Sequence, residues 1–281
     1  MQKNHNIIVQ KEQAGWELIK LLSTTFDQLS KKQCKRWIDM GIVSINGKIS
    51  TRASLTVSSR DVITVYLSMK REREEMEPAF NVIAEYPEFI ICNKPIGFIS
   101  SSETISDALG QKIGIVHRLD EETSGILVVA KTIAMQKALS SLFRLRKIQK
   151  EYVAIVPIGW TKESGTLIGK FRRVSEPSAK AVWTGKSTQG SVGITQFRVM
   201  KKAGGFVLLH LQPYTGRTHQ LRVHCSEAGF PIVGDYHYGS RVIKPRMYLH
   251  AYALRFKDPV TGKEINHLSP IPKEFKALLT S

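Results

Sequence analysis

The chain has 281 residues, 42% of them hydrophobic, with 41 Lys and Arg against 24 Asp and Glu, a formal net charge of +17. That length suggests one large domain or two unequal ones, and the apolar share is enough for a packed core, which excludes a wholly disordered chain. No apolar run reaches the length of a membrane-crossing helix, and the opening MQKNHNIIVQKEQ lacks the apolar stretch of a signal peptide, so a cytoplasmic setting without membrane association is expected.

Cys34, Cys92 and Cys225 form no closely spaced pair, so neither a disulfide framework nor a zinc ribbon is expected. The excess of positive charge points to a polyanion, and no basic amphipathic helix with an aromatic face favours a membrane over nucleic acid. Residues 1–77 hold 13 basic and 9 acidic side chains and the remainder 28 and 15, so the larger part carries most of the excess. Contacts to phosphate would give salt-dependent affinity.

In chain order, Trp16–Leu22 has a helical pattern, and Ser30 can cap a second helix over Lys31–Met40 with Cys34, Trp37 and Ile38 on one face and Gly41 at its end. Ile42–Ile45 followed by Asn46-Gly47-Lys48 reads as a strand entering a tight hairpin. Val62–Leu67 is a further strand, so residues 14–68 read as two helices followed by a small β unit. The run Lys70–Pro78 is charged, lacks apolar periodicity and ends in proline; it reads as a linker or exposed turn, dividing the chain into 14–77 and 78–281. Beyond it, Phe89–Cys92, Gly125–Ala130, Tyr152–Val156 and Phe206–Leu211 read as strands, and Ile133–Phe143 and His219–Ala228 as helices. Strands outnumber helices without alternating regularly, which predicts an α+β fold on a mixed, mainly antiparallel sheet with flanking helices.

The chemistry concentrates at His117-Arg118-Leu119-Asp120, followed by a polar turn and the strand from Gly125. A carboxylate on a turn beside a basic residue can stay ionised and act as a nucleophile or base, although an Asp capping a strand turn is usually structural. Arg144, Arg146, Lys147 and Lys150 crowd one stretch and Lys170, Arg172 and Arg173 another, both suited to phosphate. His219, His224 and Cys225 match no common ligand spacing, so no metal is expected. Asp120, Glu121 and Glu122 are too close in sequence to flank a sugar as a glycosidase pair.

His117-Arg118-Leu119-Asp120 with Thr123-Ser124-Gly125 resembles the signature of the RluA-type pseudouridine synthases. Lys94-Pro95-x-Gly97, Lys150-x-Tyr152, Gly216-Arg217-Thr218-His219-Gln220-Leu221-Arg222-Val223-His224, Gly234-Asp235-x-x-Tyr238-Gly239 and Leu249-His250-Ala251 follow in that family's order. The segment after Gly97, Phe98–Glu103, lacks the His-Pro that often follows there. The resemblance implies an RNA isomerase without metal or cofactor. Asp120 would be its catalytic residue, Arg217 the ion-pair partner of Asp120, and Tyr152 the ring that stacks on a flipped-out uracil. It makes Arg118, Arg144, Arg146, Lys150, His219 and Arg222 candidates for RNA contact.

The order of basic helix, Gly41–Gly47 turn and Ser59-Arg60-Asp61 resembles the small RNA-binding domain named after ribosomal small-subunit protein four, with Arg60 where glycine is usual and Trp16 where a basic residue is common. That resemblance implies RNA contacts from Lys31, Lys32, Lys35, Arg36, Asn46 and Lys48. The substrate implied is 23S large-subunit ribosomal RNA, with transfer RNA as the alternative; a monomer is the default expectation, since nothing in the sequence argues for an oligomer. A non-catalytic RNA-binding assembly factor is the competing function, and a hydrolase releasing uracil a third.

Overall fold

A computed structural model describes residues 4–76, 80–174 and 182–280. The chain divides into two compact units, one of Met1–Met76, Val174–Val182 and Val233–Arg246, the other of Glu77–Arg173, Trp183–Ile232 and Met247–Ser281.

The first unit runs β1 (His5–Ile8), α1 (Leu18–Thr25), α2 (Lys31–Asp39), β2 (Val43–Ile45), β3 (Lys48–Ile49), β4 (Val62–Val65) and α3 (Leu67–Glu75). Its antiparallel sheet has the order β1-β4-β2-β3. The buried faces of α1 and α2, including Leu18, Leu21, Cys34 and Ile38, pack with Ile42, Val43, Ile63 and Val65 of the sheet. Ser30 caps α2 reciprocally with Gln33, as its position before the basic run suggested. Asn46 (φ 50°) and Gly47 (φ 76°) make the expected tight turn between β2 and β3. The Asn46 amide donates to Asp61 Oδ1 at 2.9 Å and its oxygen accepts from Val62 N–H at 2.9 Å, so this side chain ties the turn to β4. Arg60 sits at φ 73°, the left-handed region that explains the usual glycine there.

The run read as a linker is in fact α3 as far as Glu75; residues 77–79 lie outside the described residues. The charges that suggested exposure have partners. Arg71 pairs with Glu75 one turn on at 2.8 Å, and Arg73 is buried, donating to the Pro245 carbonyl at 3.1 Å. A helix held by a distant carbonyl leaves no apolar period to read.

The second unit contains β5 (Asn81–Glu85), β6 (Phe89–Lys94), α4 (Ser102–Leu109), β7 (Gly114–Ile115), β8 (Ser124–Ala130), α5 (Ile133–Arg144), β9 (Gln149–Pro157), β10 (Ser164–Val174), β11 (Val182–Thr184), β12 (Ser191–Ala203), β13 (Phe206–Pro213), α6 (Gln220–Glu227), β14 (Leu249–Lys257), β15 (Glu264–Leu268) and α7 (Lys273–Leu278). The sheet has the order β11-β10-β12-β13-β9-β14-β8-β6-β5, with β15 added to β14 and β7 to β8. The β8–β14 pair is parallel and the other registered pairs are antiparallel, so the sheet is mixed and mostly antiparallel. Every residue of β8 is buried, which is why it reads as an unbroken apolar run rather than an alternating one. Met135 and Leu139 of α5 cover it, joining Phe89, Ile91, Val128 and Phe256 in one core.

At the parallel pair, His250 stands opposite Ser124 and Ala251 opposite Gly125. Gly125 has φ +116°, and a Cβ there would fall 2.2 Å from the Ala251 carbonyl oxygen. The Ser124 hydroxyl and His250 Nδ1, 2.8 Å apart, clamp the same point. Gly125→Ala is therefore expected to cost about 3 kcal/mol or more in urea unfolding. Gly205→Ala, at φ +75° but with nothing within 4 Å of the added carbon, should cost only about 1 kcal/mol.

Candidate active site

Asp120 lies in the turn between β7 and β8, and the backbone on both sides of it is fixed. The Ser100 hydroxyl accepts from Leu119 N–H at 3.2 Å and donates to the Leu119 carbonyl at 2.9 Å. The Glu121 carbonyl accepts from Gly97 N–H at 2.8 Å and from the Lys94 ammonium at 3.1 Å. Lys94 is fully buried and also donates to the carbonyls of Pro95 and Phe98, each at 2.8 Å. Thr123 N–H closes the turn onto the Asp120 carbonyl at 3.0 Å. The loop after β6 thus holds the residues before and after Asp120, and leaves its carboxylate to other partners.

Those partners come from α6 and the residue before it. Arg222 Nη1 donates to Asp120 Oδ2 at 3.1 Å, and His219 Nε2 lies 3.8 Å from Oδ1. The Arg222 side chain is 9% exposed and that of Asp120 30%. The start of α6 is anchored by Gln220, whose amide oxygen accepts from the Thr215 hydroxyl at 2.6 Å and from Arg217 N–H at 3.0 Å. Its amide nitrogen donates to the Ile194 carbonyl at 3.0 Å and to the Thr195 hydroxyl at 2.9 Å, so all four hydrogen-bonding positions of this buried amide are engaged.

The expected partner of Asp120 was Arg217; the structure gives that place to Arg222. Arg217 precedes α6, and its Nε donates instead to the Val192 carbonyl at 3.1 Å. The two arginines stand five apart in one motif, and spacing does not tell them apart. The readable signal was Arg222 between the apolar Leu221 and Val223 in a helix, because a cation on a buried helix turn needs a carboxylate.

Tyr152 lies on β9, in register with Ala251 of β14, which is itself in register with Gly125. Burial, and after it the negative charge of Asp120, push its phenol pKa up, so it stays protonated. His117 stacks on Phe143 with centroids 4.3 Å apart, and its Nε2 accepts from Val128 N–H at 3.1 Å. Burial, then the Lys150 cation, lower its pKa to about 3, so it is a neutral acceptor with its proton on Nδ1. Lys150, two residues before Tyr152, is half-buried, and burial followed by the charge of Arg146 lowers its pKa.

Of the other residues proposed for RNA contact, Arg118, Arg144 and Arg146 are exposed in the second unit. In the first unit Lys31, Lys32, Lys35 and Arg36 occupy the exposed face of α2, where Lys35 also pairs with Asp39 at 2.7 Å, and Lys48 is exposed beyond the turn. Asn46 is engaged with Asp61 and Val62. His224 Nδ1 lies 3.0 Å from the Thr195 hydroxyl, and burial lowers its pKa to about 4. Among the described residues no group of three or more His, Cys, Asp or Glu could hold a metal ion, and no helix is long and apolar enough to cross a membrane. Ser100 and Gln220 were not singled out by sequence reading. The departure from His-Pro after Gly97 marked the segment that holds Ser100 but not the contacts Ser100 makes.

The profile of the RNA pseudouridylate synthase family matches residues 88–227. The chain is 32% identical to the ribosomal large subunit pseudouridine synthase D of Vibrio cholerae, covering 95% of this chain and 91% of that protein. It is 29% identical to the protein of the same name from Escherichia coli K12, covering 96% and 92%. Among solved structures, human RNA pseudouridylate synthase domain containing 1 superposes with a TM-score of 0.64 at 28% identity, covering 73% of this chain and 91% of that one.

The half-buried, neutral His117 carries a pH consequence. Below the ordinary value of 6.5 the unfolded chain binds a proton that the folded protein refuses until about pH 3. Stability contributed by this group is thus present above pH 6.5 and lost as pH falls from there, at up to about 1.4 kcal/mol per pH unit. In His117→Gln, which keeps an acceptor for Val128 N–H, urea unfolding between pH 6.5 and 4 should show a slope shallower by roughly one proton.

Proposed function

The chain belongs to the RNA pseudouridylate synthase family, and from that premise we propose that it isomerises specific uridines of 23S large-subunit ribosomal RNA, with Asp120 as its catalytic carboxylate. The observation that carries the catalytic assignment is the Asp120–Arg222 pair on a turn braced from both sides, beside a protonated Tyr152. The names of the relatives, similar over nearly the whole chain, support the ribosomal substrate and the RluA-type assignment.

The reaction breaks the bond from ribose C1′ to uracil N1, turns the base, joins C1′ to C5, and moves a proton from C5 to N1. Nothing is oxidised and no co-substrate is consumed. A uridine inside folded RNA has to leave its stack before a side chain reaches it. Asp120 faces the opened glycosidic site as nucleophile or base, oriented by Arg222. Tyr152, held protonated, serves as a ring for the uracil to stack on and as a hydrogen-bond donor rather than a base. His219 is the second cationic neighbour available to the carboxylate when protonated. The +17 charge supplies the non-specific hold on the RNA backbone.

In the same reading residues 14–77 form the small RNA-binding domain and 78–281 the catalytic domain, working as a monomer in the cytoplasm. The exposed basic face of α2 and the exposed Lys48 beside the β2–β3 turn support the first assignment.

Pseudouridine mapping of total RNA from cells with the gene deleted tests the proposal directly. Sites in 23S RNA should disappear and return with the wild-type gene, but not with Asp120→Asn. Loss confined to transfer RNA would replace the substrate, and an unchanged map would favour a non-catalytic factor. On purified transcripts, Asp120→Asn should lower conversion by about 10³-fold or more. Arg222→Met should cost about 10²-fold and Arg217→Met at most about tenfold, which distinguishes the two arginines.

A further inference from the structure

We propose that Lys150 is a phosphate-binding residue of the catalytic site, taking a phosphodiester of the RNA beside the flipped uridine. The inference rests on the pseudouridine synthase reading and adds to it a specific anion site.

Lys150 and Tyr152 are two apart on β9, so both side chains project from the same face of the strand. Lys150 Nζ stands 3.6 Å from where a Cβ on Gly216 would be, at the loop leading into α6 and Arg222. The ammonium is thus held at the catalytic face, half-buried, and among the described residues no hydrogen bond or ion pair joins it to a partner. Its electrostatic neighbours do not offset it. Arg146 is a cation, and His117 is neutral with its proton on Nδ1. The contrast with Lys94 is direct, because that buried ammonium has three carbonyl acceptors within 3.1 Å.

An ammonium drawn out of water without an acceptor lowers the stability of the free protein. A buried cation is normally paired, so an anion from outside the chain is the missing partner. RNA carries one phosphate per nucleotide, and the phosphates nearest a flipped base enter the site with it. A primary ammonium suits this task as a point charge that needs no fixed fork geometry.

The experiment compares wild type, Lys150→Met and Lys150→Arg on transcribed, unmodified large-subunit ribosomal RNA. Thermal unfolding, pseudouridine formation and the dissociation constant between 50 and 300 mM KCl are measured for each. Lys150→Met should unfold at or above the wild-type temperature, because the unsatisfied charge is gone. Its binding should weaken about tenfold at the lowest salt, and the slope of log Kd against log salt should fall by about 0.7 to 0.9. Lys150→Arg should keep the wild-type slope. If Lys150→Met does not fold, Lys150→Gln takes its place in the same series.

A lowered unfolding temperature with unchanged slope and rate would make Lys150 a structural lysine and overturn the proposal. An unchanged slope with a reduced rate would overturn it as well, by putting the ammonium on the base rather than the backbone. If the wild type forms no pseudouridine in this RNA, the ribosomal-substrate reading fails, while the slope from the same titrations still judges Lys150.

Discussion

The Asp120–Arg222 pair constrains the rest of the second unit. Its guanidinium is nearly enclosed and its carboxylate less than one-third exposed, so neither partner can be removed without leaving a poorly solvated charge behind. A pair of this kind contributes little to net stability, since desolvation offsets much of the attraction. What it supplies is orientation. A carboxylate facing one fixed guanidinium nitrogen has one oxygen committed, and the other is left toward the site where His219 stands 3.8 Å away.

That orientation depends on two backbone frames being rigid. One is the Asp120 turn, gripped at the residues before and after Asp120 by Ser100, Gly97 and Lys94. The other is the entry to α6, where Gln220 saturates its amide against Thr215, Arg217, Ile194 and Thr195. His219 sits between them at φ 55°, an unfavourable backbone state for a histidine, which the Gln220 network holds in place. An error of about 1 Å in either frame would misplace the carboxylate enough to slow the chemistry strongly.

Much of this was readable in the residues, and the failures have physical causes. The Asn46-Gly47 turn, the Ser30 cap and the buried run of β8 were legible because each depends on local backbone chemistry or an unbroken apolar stretch. The helix α3 was not, because a distant carbonyl supports it rather than an apolar stripe. Strand β1 and the long strands β10 and β12 escaped notice for a similar reason. Their largely exposed residues give a weak two-residue period. Within the candidate site, the motif singled out Asp120 and Tyr152, but the choice between Arg217 and Arg222 as the partner of Asp120 turned on which side chain α6 directs at the carboxylate. Ser100 belongs to a third kind of case. A departure from a family pattern gave no hint of what replaced it, because its two hydrogen bonds reach a residue 19 positions away.

The meeting of β8 with β14 at Gly125 also bears on how the protein acquires its activity. Those strands run parallel, and the Ser124–His250 contact that registers them spans 126 residues of chain. The Asp120–Arg222 pair spans 102. Contacts of such long sequence separation form only after the intervening loops have closed, and parallel pairing of this kind is slow to establish. During synthesis, the turn bearing Asp120 leaves the ribosome well before either partner does. A nascent chain therefore carries the Asp120 carboxylate without the frame that aims it, and that frame is complete only once α6 has docked and β14 has paired with β8.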